Sequence, residues 1–90
     1  MKTIRLDGRA MTDRTAAHAH IKKQMGFPDY YGANLDALWD LLTEPRHPVT
    51  VILGHAGAAR TALGDYGGAL IGTFEEAAAE NEDLIFTIKD

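Results

Sequence analysis

Pro28-Asp29-Tyr30-Tyr31-Gly32-Ala33-Asn34-Leu35-Asp36-Ala37-Leu38-Trp39-Asp40-Leu41-Leu42-Thr43-Glu44 is the stretch from which the rest of the chain is read. On a helix that begins after Asn34, the residues Leu35, Leu38, Trp39 and Leu42 fall at i, i+3, i+4 and i+7, an apolar stripe able to seat on a core. The other side is acidic. Asp36, Asp40 and Thr43 share one narrow outward strip, with Trp39 on its border. As helix design this strip is poor. Asp36 suits the positive end of the helix dipole, whereas Asp40 and Glu44 approach the negative end, each at a cost of roughly 0.3–1 kcal/mol. Asp36, Asp40 and Glu44 are also successive like-charge neighbours one turn apart, each pair costing roughly 0.2–0.5 kcal/mol. No Lys or Arg lies between Gly26 and Pro45 to offset them. Such a break in local consistency is expected at a functional surface; a merely solvated helix face is the plain alternative, and it suits Asp36 better than Asp40.

The composition around this stretch is that of an ordinary globular protein. Ninety residues, 46% of them hydrophobic and 24% charged, are expected to form one domain over residues 1–90. By surface scaling it buries only about 60–65% of the area its unfolded chain exposes, so the core is thin. The absence of cysteine excludes a disulfide framework and a thiolate metal site. The N-terminus lacks the apolar segment of a secretory leader, and no run approaches the ~18 apolar residues needed to span a bilayer, so a cytoplasmic protein with no membrane partner is expected.

The net charge of −4 is unevenly spread. Residues 1–25 carry six basic and two acidic side chains, residues 26–45 carry Asp29, Asp36, Asp40 and Glu44 and no base, and residues 61–88 add Asp65, Glu75, Glu76, Glu80, Glu82 and Asp83, again without a base. If the two acidic blocks meet in space they form a surface that repels nucleic acid and attracts a cationic protein. Direct binding to RNA or DNA is therefore not expected.

Strands and helices alternate along the chain. Thr3–Leu6 reads as a strand with Ile4 and Leu6 on one face, closed by Asp7-Gly8. A helix follows, capped by Thr12 or Asp13, with Ala16, Ala17, His20, Ile21 and Met25 inward and Gly26 as its stop. Phe27–Gly32 forms a loop in which Gly32 allows a turn. The acidic helix spans Leu35 to about Thr43, and Pro45 and Pro48 bracket the way into a second strand, Val49–Leu53; the His47-Pro48 bond is open to the cis form. A third helix covers about Ala56–Leu63, and Gly64-Asp65-Tyr66-Gly67-Gly68 reads as a break. A fourth helix, about Ala69–Asn81, turns Leu70, Phe74, Ala77 and Ala78 inward and Glu75, Glu76 and Glu80 outward. Leu84–Ile88 closes the chain as a strand. Right-handed crossovers through paired helices make this an α/β protein with a small, three-stranded parallel sheet. The alternation in the outer strands leaves helices on mainly one face, in two layers.

At this point a family resemblance can be drawn. Residues 28–43 resemble the signature stretch of the barstar family, intracellular protein inhibitors of microbial secreted ribonucleases, and the likeness runs colinearly through the chain, including Phe74-Glu75-Glu76-Ala77 and the closing strand. It implies a three-stranded parallel sheet in the order 1-2-3 and a 1:1 plug that blocks the active site of a basic ribonuclease. Carried over by position, the family's partner-binding residues fall on Tyr30, Gly32, Asn34, Leu35, Asp36, Trp39, Asp40, Thr43 and Glu76. The chemistry agrees. An enzyme that cleaves phosphodiesters holds its phosphate with Arg, Lys and His, so an outward carboxylate can stand in for that anion. In this reading Asp40 accepts a bidentate Arg and a catalytic His, Asp36 and Glu76 add charge pairs, Tyr30 and Trp39 shield them from water, and Gly32 permits close approach; the family's own ribonuclease complex is a reference case for these hot-spot and steering generalisations. One departure stands out. Where the family commonly continues with Gly and then Trp, this chain has Glu44-Pro45-Arg46 and is one residue shorter before Pro48. It removes an apolar contact at the rim and adds a cation.

Competing motifs are weaker. His18 and His20, two apart on a helix, point to different faces and do not share a metal; no metal or cofactor is expected. Asp36 with Asp40 could form an acid/base pair, but the sequence offers no nucleophile or pocket, so an enzyme is not expected. Gly54-His55-Ala56-Gly57 lacks the full glycine fingerprint of a phosphate loop and Gly64–Gly68 lies in an acidic neighbourhood, so both read as turns and caps. The alternative of another class is a barstar-like interaction or immunity module for a different basic protein or toxin.

Overall fold

A computed structural model describes residues 2–44 and 48–89. In chain order it contains β1 (Lys2–Asp7), a short 3-10 turn (Gly8–Ala10), α1 (Arg14–Met25), α2 (Leu35–Thr43), β2 (Val49–Gly54), α3 (Ala56–Leu63), α4 (Asp65–Glu80) and β3 (Leu84–Lys89). The three strands form one parallel sheet in the order β1-β2-β3. Its register runs from Lys2, Val49 and Leu84 at one end to Asp7, Gly54 and Lys89 at the other. Alternation along each strand assigns the faces. Ile4, Leu6, Val49, Val51, Leu53 and Leu84 are buried beneath the helices, while Thr3, Arg5, Ile85, Thr87 and Lys89 on the opposite face are exposed. The two-layer reading therefore holds.

Local chemistry accounts for most boundaries. Asp13 is the N-cap of α1, its carboxylate accepting from Ala16 N–H at 2.7 Å, and Gly26 ends that helix in the left-handed region. One buried face and one boundary differ from the sequence reading. The buried side of α1 consists of Ala17, His18, Ile21 and Met25, with Ala16 and His20 only half-buried. And the break is Gly64 alone, which ends α3 at φ 61°, because α4 begins at Asp65 and takes in residues 65–68. Glycine is a weak helix former, costing about 1 kcal/mol relative to Ala, but here tertiary packing decides. A Cβ on Gly67 would lie 3.1 Å from the Ala59 carbonyl oxygen and 3.2 Å from Arg60 Cα, so the glycine lets α4 close on the backbone of α3. The question of a cis His47-Pro48 bond lies outside the described residues.

Histidine 18 is the buried polar side chain of the described core. Its Nδ1 lies 2.6 Å from the Tyr31 hydroxyl and its Nε2 2.7 Å from that of Tyr66. A neutral imidazole donates at one nitrogen and accepts at the other, so one tyrosine donates to it and the other accepts. Burial pushes the pKa of His18 below its usual 6.5 and raises that of Tyr31, with Tyr66 adding to the rise. His20 accepts from Asp7 N–H at 2.9 Å, tying α1 to the end of β1.

Two predictions arise from this packing. A Cβ at Gly8 would collide with the His55 carbonyl, a backbone group that cannot swing aside, so Gly8→Ala is expected to destabilise the protein by roughly 1–3 kcal/mol or more in urea unfolding. The depressed pKa of His18 places its stabilising effect above the unfolded value of 6.5, to be lost as pH falls below that value. His18→Ala, by leaving Tyr31 unsatisfied, should cost about 1–3 kcal/mol at pH 7.5 and flatten the decline of stability between pH 6.5 and more acid conditions. Asp7, whose carboxyl the Arg9 side chain holds at about 2, titrates in a separate and lower window.

Candidate partner-binding surface

The loop before α2 is set from the inside. Tyr31 is buried, its ring 5.0 Å from that of Phe27 and its hydroxyl against His18. Its neighbour Tyr30 is turned outward and 81% exposed. The turn that follows is made by Ala33, at φ 53°, and not by Gly32 as the sequence suggested. Left-handed backbone is uncommon for a residue with a Cβ, and it delivers the chain into Asn34. That residue caps α2, its side-chain oxygen accepting from Ala37 N–H at 2.7 Å while its amide nitrogen donates to the Gly32 carbonyl at 3.3 Å. Gly32 has a packing role: a Cβ there would lie 3.3 Å from that of Ala37 and 3.4 Å from the Asn34 side chain.

Along α2, Leu38, Leu41 and Leu42 are buried, Leu35, Ala37 and Trp39 are half-buried, and Asp36 and Asp40 are exposed. The buried arc is rotated from the predicted stripe toward Leu41. The helix packs along α4. Thr43 is half-buried, its hydroxyl donating to the Trp39 carbonyl at 2.8 Å, a common way for threonine to satisfy itself near a helix end. Asn81, just beyond α4, donates to the Leu42 carbonyl at 3.0 Å and so closes the C-terminal end of α2.

The segments that carry the two acidic blocks meet where α2 packs along α4. Thr43 lines one open hollow together with Ala79, Glu80, Asn81, Glu82 and Asp83. Glu76 is exposed one turn before Glu80 on the same side of α4. Glu80, Glu82 and Asp83 belonged to an acidic block in the sequence, but only the meeting of the two helix ends places them beside Thr43. Among the described residues the ion pairs are Arg9 with Asp7 at 3.0 Å and Lys22 with Asp29 at 3.8 Å. Asp36, Asp40, Glu44 and Glu76 take part in neither. The Glu44-Pro45-Arg46 departure lies largely outside the described residues, of which it includes Glu44 alone.

This geometry separates stability from any use of the acids. Asp40 stands in the second half of α2, with no basic residue in its last turn and acidic neighbours a turn away on each side. Asp40→Ala is expected to leave the free protein as stable or more stable by about 0.3–1 kcal/mol. Asn34→Ala, which removes the cap, should cost about 1 kcal/mol. Thermal and urea unfolding of the two variants give the comparison.

Residues 1–89 match the family described as Barstar (barnase inhibitor). A protein of Bacillus subtilis (strain 168) named “Putative ribonuclease inhibitor YrdF” is 39% identical to this chain over 84 residues, which is 92% of each sequence. The parallel sheet in the order β1-β2-β3, the capped acidic helix and the match over nearly every residue lead to one assignment: the chain belongs to the barstar family.

Proposed function

We propose that this protein inhibits a secreted, guanyl-specific type of microbial ribonuclease by covering its active site with α2 and the loop that leads into it. One observation carries the reading: Asp36, Asp40 and Glu76 are exposed, and none of them is paired with a base among the described residues. A cationic cleft that grips phosphate supplies the missing counter-charges. Asp40, projecting from the middle of α2, takes the place of the scissile phosphate and accepts paired hydrogen bonds from an arginine and one from a catalytic histidine. Asp36 meets the cleft from the helix N-terminus, and Glu76 extends the acidic surface onto α4. Tyr30, almost wholly in solvent, and Trp39 contribute flat apolar area that keeps water from those pairs once the complex forms, while Gly32, Asn34, Leu35 and Thr43 shape the contact around them. Inhibition in this reading is occupation and not chemistry. Exposed carboxylates on a convex helix lack the enclosure that acid/base catalysis needs. Glu44-Pro45-Arg46 favours a second reading, in which the same acids bind a different basic protein or toxin whose rim suits that shorter, partly basic segment.

Titration into a guanyl-specific ribonuclease distinguishes the two readings. The first expects stoichiometric 1:1 loss of RNA cleavage, whereas undiminished cleavage with a well-folded protein favours the second. Asp40→Ala should weaken inhibition most, by ~2 kcal/mol or more, about thirtyfold in Kd, followed by Asp36→Ala and Trp39→Ala; the family's own ribonuclease complex is among the reference cases for that magnitude. Because the steering charges are exposed, association should slow as salt shortens the Debye length below about 10 Å. An Asp40→Ala variant that inhibits as well as the parent would dispose of the phosphate-mimic mechanism.

A further inference from the structure

We infer that the outer edge of β3 is a self-association surface, on which a second copy of this chain lays its own β3 antiparallel and centred on Phe86. The sheet has two edges, β1 and β3, and they differ in chemistry. β1 carries Lys2, Arg5 and Asp7, the kind of charged side chains that discourage strand addition. β3 runs Leu84-Ile85-Phe86-Thr87-Ile88 without a charge, proline or glycine before Lys89. Its apolar side chains are also incompletely covered, with Ile85 45% exposed and Phe86 and Ile88 half-buried.

The hydrogen-bond parity of the edge selects the register. Val49 N–H donates to the Asp83 carbonyl at 2.8 Å. In a parallel ladder the residues that bond a given neighbour alternate, so Asp83, Ile85, Thr87 and Lys89 turn their backbone groups toward β2, and Leu84, Phe86 and Ile88 turn theirs outward. The Leu84 N–H is taken by the Asn81 carbonyl at 3.0 Å. The outward N–H and C=O of Phe86, those of Ile88 and the C=O of Leu84 then face a position that no strand among the described residues occupies. Antiparallel pairing must set outward residues against outward residues. Centred on Phe86, it lets Phe86 of each copy donate to and accept from its twin, and lets Ile88 N–H of each donate to the Leu84 carbonyl of the other.

The side chains favour the same register. It places Leu84 opposite Ile88 and Phe86 opposite Phe86 on the helix-covered face, Ile85 opposite Thr87 on the open face, and Asp83 opposite Lys89 at both ends. Neither Asp83 nor Lys89 belongs to an ion pair among the described residues. A slip by two residues in either direction separates these opposite charges. The arrangement is two-fold and closed: it joins two sheets into one of six strands whose remaining edges are the charged β1 strands.

Sedimentation equilibrium of the full chain tests this. Because the added contact is a single strand edge, the mean mass is expected to rise from one chain toward two between about 10 μM and about 1 mM. Amide exchange at Phe86 and Ile88 should slow over the same range. Lys89→Glu, an exposed change whose fold circular dichroism verifies, sets like charges opposite one another twice and should weaken association roughly tenfold. Asp83→Lys combined with Lys89→Glu should restore it. A chain that remains monomeric at the highest concentration overturns the inference, as does a dimer that Lys89→Glu leaves unchanged or that fails to recover in the double variant.

Discussion

One imidazole, enclosed between two phenol hydroxyls, governs how the connection from α1 to α2 lies on the molecule. His18 links three parts of the chain that are distant in sequence: its own helix, the loop at Tyr31 and the first turn of α4 at Tyr66. Desolvation disfavours charge on His18 and on Tyr31 alike, so near neutral pH the hydrogen bonds run between uncharged groups. A buried network of this kind specifies a single arrangement only when each member is satisfied. The guanidinium of Arg14 lies 4.2 Å from the centre of the Tyr66 ring and covers its outer side. Tyr31 is fixed inward, and Tyr30, just before it in the turn closed by the Tyr31 N–H donating to the Pro28 carbonyl at 3.0 Å, projects outward.

A second constraint acts on α2, which must hold its apolar side against the core and α4 while keeping its carboxylates unneutralised. Three leucines buried from a nine-residue helix supply several kcal/mol of transfer free energy, at about 1.5–3 kcal/mol for each fully buried side chain. That comfortably exceeds the few tenths to 1 kcal/mol lost at each misplaced acid. The balance explains why the helix can tolerate a charge pattern that an isolated peptide would not. It is capped at both ends from outside its own sequence, by Asn34 and by Asn81, and so depends little on intrinsic propensity.

The sheet has a different economy. Parallel sheets usually carry helices on both faces, and this one carries them on one. The open face is finished with Thr3, Arg5, Thr50, Thr87 and Lys89 beside Ile52 and Ile85, a mixture of β-branched and charged residues that suits a wet, extended surface. Charge is concentrated along β1 and at the far end of β3, leaving the middle of β3 as the apolar part of the rim.

The residues themselves dictated the order of elements, the parallel sheet, the cap at Asn34, the stop at Gly26 and the outward acids of α2, because each follows from short-range periodicity or from the chemistry of one or two neighbouring side chains. The family's signature stretch supplied the strand order. Tertiary structure decided the rest. Leu41 is buried along with Leu38 and Leu42 of the predicted stripe, and α4 starts as early as Asp65 because Gly67 fits against the backbone of α3. His18 faces inward because Tyr31 and Tyr66 arrive from elsewhere in the chain to satisfy both its nitrogens. Glu80, Glu82 and Asp83 come to lie beside Thr43 only where the ends of α2 and α4 meet. In each case the deciding partner is dozens of residues away or on a separate element, and no local pattern records which distant group will complete a burial, a hydrogen bond or a patch of charge.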